Sequence, residues 1–171
     1  SYGWNSGGSS SDPCSSTYMG AYAASEPETQ ALQDYMRAVF PDNNGSNNGG
    51  KAPSDSTGIY IDMHSHGRVW LWPFGFKTAL NGTELQALAR KFGYFNGYEA
   101  KKSLYTTSGT TKDYCYGVLG VPSFTIELGT AFFQSCSTYL NYELPKNLPV
   151  LKYAAKACRR PYTMVYGPDA L

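Results

Sequence analysis

Two short apolar segments of this sequence each lead to a side chain that can bind a metal or transfer a proton. Residues 58–61 are β-branched and aromatic, which favours a strand, and they precede His64, with His66 two positions further on. Residues 123–128 have the same character and carry one carboxylate, Glu127. Because burying a charge in such a strand is costly unless it is paired, Glu127 is predicted to serve a specific purpose there.

An imidazole and a carboxylate do not make a metal site by themselves. A catalytic zinc ion takes about three protein ligands, and this chain contains two histidines in all, His64 and His66. The sequence therefore indicates part of an active site, with Glu127 as its carboxylate.

The elements that must position these side chains alternate between strands and helices. Helices and strands are predicted from apolar spacing and from the prolines and glycines that bound each run. The predicted helices cover residues 25–40, 83–93, 112–119 and 149–159, and the predicted strands cover residues 58–61, 69–75 and 123–128. This order predicts an α/β sheet with parallel segments, in which a histidine at the carboxyl end of a strand lies where ligands bind.

Local signals refine the ends of these elements. Ser25 and Thr83 are each followed three residues later by Glu28 and Gln86, which predicts a capping box at the start of the first two helices. Residues 129–145 show no periodicity and are predicted to be irregular.

Composition narrows the class of protein but does not give its activity. The 171 residues suffice for one domain or part of one. The net charge of +1 gives no indication of binding to nucleic acid or to an anionic membrane. No apolar run approaches the roughly 20 residues of a membrane span. The cysteines lack C-x-x-C spacing and leave open disulfides in an oxidising compartment or buried thiols: Cys14, Cys115, Cys136 and Cys158.

Five separated motifs occur in order along the chain: SDPCSSTY at 11–18, ASEPET at 24–29, MHS at 63–65, WPFG at 72–75 and FTIEL at 124–128. In order and spacing they resemble the second half of a zinc metallocarboxypeptidase, and the secreted carboxypeptidase A, B and T branch above all. The resemblance implies an α/β fold with a mixed sheet flanked by helices. It also implies a secreted or extracytoplasmic exopeptidase that releases C-terminal amino acids from peptides and proteins.

The resemblance implies a role for individual residues. His64 falls on the family's third zinc ligand, and Glu127 on the glutamate that acts as general base on the zinc-bound water and returns the proton to the leaving amine. Tyr105 falls on the mobile tyrosine that closes over the terminal carboxylate of the substrate. Ser65 follows the zinc histidine and contacts substrate through its backbone. His66 stands where a tyrosine is usual, in the wall of a substrate subsite or at the surface, and is not expected to be a second ligand.

The family also has residues that this chain lacks. Its H-x-x-E motif, which supplies two of the three zinc ligands, has no counterpart here, nor have its catalytic arginine and its carboxylate-gripping Asn-Arg pair. We therefore expect residues 1–171 to be the C-terminal part of one catalytic domain, with two further zinc ligands upstream of residue 1 and the missing N-terminal portion as its partner. Two alternatives are an inactive fragment or pseudoenzyme that serves as a binding or structural module, and a cell-wall peptide amidase or endopeptidase on the same fold.

One further residue bears on specificity. Counted without gaps between Tyr105 and Glu127, Lys112 falls at the base of the family's pocket for the departing side chain. A buried ammonium without a partner would favour C-terminal Glu or Asp and would repel Lys and Arg. The alternative is that Lys112 extends to solvent from the start of its helix. Asp62 and Asp113 are predicted to be structural carboxylates.

Overall fold

Four strands form one sheet in the structure, a computed structural model that describes residues 2–163. The strands are β1 Tyr60–His64, β2 Val69–Leu71, β3 Glu99–Lys101 and β4 Ser123–Glu127. The helices are α1 Pro27–Val39, α2 Gly82–Asn96, α3 Thr111–Leu119, α4 Cys136–Thr138 and α5 Leu144–Ala157, and a π-helical turn, Tyr139–Glu143, joins α4 to α5. The predicted domain 1–171 extends beyond these residues, since Ser1 and residues 164–171 lie outside the described part.

The sheet is mixed, with the strand order β1-β4-β2-β3. β1 and β4 are parallel, β2 and β3 are parallel, and β2 runs antiparallel to β4. The predicted α/β fold, with a mixed sheet flanked by helices, is confirmed. Because β1 stands at one end of this order, the strand that carries His64 is one of the two edge strands of the described sheet.

Two apolar clusters hold the helices to the sheet. The larger one joins the buried faces of β2 and β4 to α2 and α5, where Trp70, Phe92 and Phe124 pack with ring centroids 5.0–6.5 Å apart. The smaller one lies between α1 and α3, around Met36 and Cys115. Burial of this kind supplies most of the stability of a sheet–helix sandwich, and here it leaves the carboxyl ends of β1 and β4 free to carry polar side chains.

Neither predicted capping box forms. The N-cap of α1 is Glu26 with no side-chain cap, and Ser25 Oγ donates instead to the Glu26 carboxylate at 2.8 Å. At α2 the N-cap is Asn81, two residues before the predicted Thr83. The Asn81 side chain accepts a hydrogen bond from Tyr116, 35 residues away, at 2.9 Å. At α1 a contact with the next residue replaces the predicted cap, and at α2 a contact with a distant residue does so.

Helix ends agree better with the sequence. α1 ends before Pro41, and α3 is closed by Gly120 in the left-handed conformation, with φ 68°, as predicted. α2 runs to Asn96, past the predicted end near Gly93. Gly93 is needed for a close approach rather than for a stop, because a Cβ there would lie 2.4 Å from the carbonyl oxygen of Tyr98.

The region predicted to be irregular, residues 129–145, is largely helical in its second half. α4 and the π-helical turn occupy residues 136–143, and α5 begins at Leu144 rather than at Pro149. A proline inside a helix removes one backbone hydrogen bond, but α5 continues through Pro149 because its apolar face, including Val150 and Ala157, is buried in the larger cluster. β3 was not predicted, since its three residues are mostly polar and it forms only by pairing with β2.

The four cysteines are free thiols in this structure, so of the two alternatives it shows thiols and no disulfide. Cys115 alone among them is fully buried, and burial raises the pKa of its thiol to about 12. Cys14 and Cys136 are exposed. Among the residues that the structure describes, no helix is both long and apolar enough to cross a membrane.

Candidate active site

The two side chains that the sequence singles out meet at one edge of the sheet. His64 is the last residue of β1, Glu127 is the last residue of β4, and the two are directly opposite each other in the parallel register. Neighbouring strands lie about 4.8 Å apart, so the two side chains leave the sheet as close neighbours. The His64 side chain is half-exposed and Glu127 is partly buried.

A cavity of about 120 Å³ opens beside this pair. Its wall includes four of the six predicted site residues: His64, Tyr105, Lys112 and Glu127. They come from β1, the loop before α3, the first turn of α3, and β4. The cavity therefore gathers residues that are up to 63 positions apart in the sequence, because the carboxyl ends of parallel strands and the start of a following helix share one side of an α/β sheet.

The other two predicted residues lie on a different side of His64. Ser65 borders a second, larger and mostly apolar cavity of about 530 Å³, and its Oγ donates to the carbonyl oxygen of Phe132 at 3.2 Å. His66 is exposed and packs its ring edge-on against Phe132, with centroids 4.8 Å apart. His66 thus belongs to neither cavity wall, and it lies at the surface beside the larger one.

Tyr105 stands at the mouth of the smaller cavity on the loop between β3 and α3. Tyr105 is 71% exposed and also contributes to the cavity wall, so this residue is open to solvent and to the cavity at once.

Lys112 is buried in the cavity wall, with 3% of its surface exposed. Its Nζ lies 3.0 Å from Asp113 Oδ1 and donates to Thr110 Oγ1 at 3.2 Å. Asp113 is fully buried and also accepts a hydrogen bond from the backbone N–H of Gly75 at 3.0 Å. Two expectations are therefore wrong: the ammonium is not without a partner, and it does not extend to solvent. Burial beside a carboxylate satisfies the charge inside the fold.

Asp62, predicted to be a structural carboxylate, is a neighbour of the site. Its Oδ2 lies 3.0 Å from His64 Nε2 and also accepts a hydrogen bond from Thr111 Oγ1 at the start of α3. The signal was present in the sequence, because residues i and i+2 of a strand project from the same face.

A buried polar network fixes the chain just after Glu127. The backbone N–H of Gly129 donates to the Tyr98 hydroxyl at 3.1 Å, and that hydroxyl donates to Glu143 Oε2 at 2.5 Å. Arg68 closes the network with Nη2 3.0 Å from Glu143 Oε1. Burial, and then the hydrogen bond to Glu143, raise the pKa of Tyr98, which keeps the phenol protonated as a donor.

The described residues could supply one ligand of a zinc site but not a complete set of ligands. A neutral imidazole at a strand end is a suitable zinc ligand, and His64 is the residue of this kind that faces the smaller cavity. No group of three or more His, Cys, Asp or Glu side chains within residues 2–163 is arranged to hold a metal ion. A zinc ion held here would need ligands in addition to His64.

Comparison with known proteins gives a consistent result. The sequence model of the zinc carboxypeptidase family matches residues 1–148. Human carboxypeptidase A1 is 31% identical over 140 residues, which cover 73% of this chain and 30% of that protein. Bovine carboxypeptidase B is 32% identical over 137 residues, which cover 74% and 30%. The chain thus spans about 30% of the length of these curated relatives.

Solved structures agree at the level of the fold. A crystal structure of thrombin activatable fibrinolysis inhibitor superposes with a TM-score of 0.68 at 26% identity, covering 89% of this chain and 38% of that one. The carboxypeptidase A from Helicoverpa armigera superposes with a TM-score of 0.67 at 20% identity, covering 93% and 40%. At that identity the second likeness concerns the fold alone.

Proposed function

Because this chain belongs to the zinc carboxypeptidase family, we propose that the protein containing it is a secreted or extracytoplasmic, zinc-dependent exopeptidase acting on the C-termini of peptides and proteins. The observation that carries the proposal is the register of β1 and β4, in which His64 stands directly opposite Glu127 beside a cavity. A metal ligand and a general base must be neighbours for hydrolysis of this kind.

We assign to His64 one position in the zinc coordination shell. Two further ligands would come from residues upstream of Ser1, since the described chain offers a single suitable imidazole. When bound, zinc supplies Lewis acidity, which lowers the pKa of water to about 7 and polarises a carbonyl. The chain's own residues would then orient the substrate and move the protons.

Glu127 would be the group that moves protons. Its carboxylate ends β4 next to His64 and in the cavity wall, so it could accept a proton from the attacking water and deliver it to the leaving amine. The loop that follows is held by the hydrogen bond from Gly129 to the buried Tyr98–Glu143 pair. A rigid connection of this kind supports a general base, because proton transfer depends on a hydrogen-bond distance of about 3 Å.

The remaining predicted residues would bind substrate. Tyr105, exposed at the cavity mouth, would close over the terminal carboxylate. Ser65 and His66, which lie beside the larger cavity, would contact the part of the peptide that remains after cleavage.

Lys112 would favour acidic C-terminal residues. An ammonium has three N–H donors, and Lys112 uses two of them on Thr110 and Asp113. The third could reach a substrate carboxylate, because Lys112 lines the cavity whereas Asp113 is fully buried and bonded to Gly75. Asp113 partly cancels the positive charge, so we expect the preference for Glu and Asp to be smaller than for an unpaired ammonium.

The proposal is tested on the intact protein with Glu127→Gln and His64→Ala. We expect Glu127→Gln to keep its zinc and to lose roughly 10²- to 10⁴-fold in kcat, the range for a lost general base, whereas His64→Ala loses tight zinc binding. Glu99→Gln, at an exposed glutamate of β3, is the matched control and should change neither quantity. A fully active Glu127→Gln protein would contradict the assignment of the general base.

The choice of substrate separates the alternative functions. Cleavage that requires a free terminal carboxylate supports the exopeptidase, and cleavage of amide-blocked peptides would support an endopeptidase or amidase. Stoichiometric zinc with no turnover on either kind of peptide would support a binding or structural role.

A further inference from the structure

The loop that carries Tyr105 is bonded to two distant parts of the chain directly after this residue. The backbone N–H of Thr107 donates to the carbonyl oxygen of Gly75 at 3.3 Å. The backbone N–H of Gly109 donates to the carbonyl oxygen of Tyr2 at 3.1 Å. The exposed Tyr105 side chain therefore precedes a stretch of backbone that the rest of the fold holds in place.

Two glycines allow these distant segments to approach the loop closely. Gly8 has a φ of 77°, and a Cβ there would overlap the carbonyl oxygen of Thr106 and lie 2.9 Å from Thr107 Cα. A Cβ at Gly75 would overlap Thr107 Oγ1 and lie 2.7 Å from the carbonyl oxygen of the same residue. Real Cβ atoms do not come this close to backbone atoms. Any other residue at either position would therefore displace the backbone of the loop.

The turn at Gly75 is itself bonded to α3. Its backbone N–H donates to Asp113 Oδ2 at 3.0 Å, and Asp113 is the ion-pair partner of Lys112. One turn thus contacts both the loop after Tyr105 and the carboxylate beside Lys112. A change of packing at Gly75 would reach two residues that line the smaller cavity.

We propose that Gly8 and Gly75 form a clamp on residues 106 and 107, and that as positioning residues they set the reach of Tyr105 over the smaller cavity. Because Tyr105 directly precedes the clamped residues, a shift of their backbone carries its Cα along. The contact of Tyr105 with the terminal carboxylate of a substrate rests on the proposed function, whereas the link from the two glycines to Tyr105 rests on contacts within the chain.

The first test needs no substitution. In the intact protein, the backbone amides of Thr107 and Gly109 should exchange slowly with solvent, because both are bonded to segments outside the loop. Hydrogen exchange followed by NMR measures each amide separately. Rapid exchange of both amides would overturn the proposal, since the backbone after Tyr105 would then not be held.

The position of Tyr105 is measured without an activity assay, by ¹⁹F NMR of the intact protein labelled with fluorotyrosine, in which Tyr105→Phe identifies the signal. We expect Gly8→Ala and Gly75→Ala to shift this signal. Gly45→Ala is the matched control for Gly8→Ala, since Gly45 also has a positive φ, 55°, but no atom lies within 4 Å of an added Cβ. Gly82→Ala is the control for Gly75→Ala, since neither glycine has a left-handed φ and the space around Gly82 is open. Neither control should move the signal.

Kinetics on peptides with a free terminal carboxylate are the third readout. Displacement of a substrate-contacting group by about 1 Å can cost about 10²-fold, so we expect Gly8→Ala and Gly75→Ala to raise KM roughly 10- to 100-fold. The values of kcat and zinc content should change little, because a contact with the non-reacting carboxylate binds ground state and transition state alike.

Two results would overturn the proposal: a Tyr105 signal that neither clamp variant moves, or a fall in kcat and zinc content together, which indicates a general loss of packing. An unchanged KM in both variants of an active exopeptidase would overturn it as well. A protein without peptidase activity, whose Tyr105 signal responds to Gly8→Ala and not to Gly45→Ala, would contradict the proposed function and still support the clamp.

Discussion

At the scale of single residues, Lys112 in the wall of the smaller cavity forms an ion pair with Asp113. Both side chains are buried, and the distance from Nζ to Oδ1 is 3.0 Å. Breaking a buried ion pair by removing one partner typically costs about 3–5 kcal/mol, because the other charge is left without compensation. Any substitution at Lys112 therefore changes stability as well as specificity, and the two effects must be measured separately.

We predict that the intact protein prefers substrates ending in Glu over those ending in Phe or Lys, and that Lys112→Met removes this preference. Met keeps the length of the side chain and removes its charge, so kcat/KM for Glu-ending substrates should fall about tenfold or more relative to Phe-ending ones, the effect of losing about 1.4 kcal/mol of charge-assisted binding. Lys112→Asp should move the preference toward basic residues.

Lys112→Arg, which keeps the positive charge, is the matched control, and denaturant unfolding of each variant shows how much stability is lost. A preference for Phe or Lys in the unmodified protein would contradict this role of Lys112.

At the scale of elements, α3 contacts the strand β1, which carries His64, and also contributes to the wall of the smaller cavity. Its first turn supplies the Thr110 cap, the Thr111 hydroxyl bonded to Asp62, and the Lys112 ammonium in the cavity wall. One turn further along, the helix is anchored in the smaller apolar cluster through Cys115. The position of the polar residues in the first turn thus depends on how firmly the rest of the helix is packed.

We predict that the protein loses stability in alkaline solution, in part through Cys115. Burial raises the pKa of this thiol from 9.0 to about 12. Above pH 9 the unfolded chain loses the thiol proton while the folded chain retains it, so the free energy of unfolding falls as pH rises from about 9 to 12. One such group contributes a slope of about 1.4 kcal/mol per pH unit.

Thermal or denaturant unfolding between about pH 7 and 11 checks this prediction. Buried tyrosines such as Tyr116, whose pKa burial also raises, add to the loss, so the contribution of Cys115 is the difference between the unmodified protein and Cys115→Ala. That variant should be less stable at neutral pH, because a cavity is left in the cluster, but should show a shallower decline. Cys14→Ala, at an exposed thiol, should keep the full decline. Equal slopes for Cys115→Ala and the unmodified protein would rule out this contribution.

At the scale of the whole molecule, an apolar surface lies beside His64. The larger cavity, of about 530 Å³, is lined by side chains of β1, β4 and α5. Several of them are large and partly exposed, among them Met63 at 55%, Leu148 at 42% and Leu151 at 36%. This surface continues to the edge strand β1, whose outer backbone groups have no partner strand in the described sheet. Open strand edges and apolar surfaces of this kind favour association.

We predict that residues 1–171 on their own self-associate, bind zinc weakly and show negligible peptidase activity. Two of about three zinc ligands would be missing, and the apolar surface and strand edge would be uncovered. Sedimentation measurements, zinc titration and peptidase assays on the isolated chain check these three points. A monomeric chain with stoichiometric zinc and robust turnover would contradict the expectation that this is the C-terminal part of a longer domain. If the expectation is right, coexpression with an upstream segment that carries H-x-x-E should suppress self-association and restore zinc binding and peptidase activity.

The sequence alone determined which segments carry the chemistry and which class of fold holds them. The runs at residues 58–61 and 123–128 correspond to the strands that end in His64 and Glu127, because β-branched and aromatic residues fit a pleated, half-buried surface. The end of α3 at Gly120 could also be predicted from the sequence, because a helix often ends at a residue in the left-handed conformation, which favours glycine in any surroundings.

The contacts of each of these side chains depend on the tertiary fold. Lys112 and its partner Asp113 are adjacent in sequence, but adjacency alone does not predict the ion pair. The pair forms because the fold buries both residues, with Asp113 also bonded to the backbone of Gly75. The Asp62 carboxylate accepts a hydrogen bond from Thr111 of another element. Asn81 stands at the N-cap of α2 but makes no side-chain cap, and its side chain accepts instead from Tyr116, 35 residues away. Local patterns report the conformation of a segment, whereas the partner of a polar group depends on which segments the fold brings together, and that is set by packing of the whole chain.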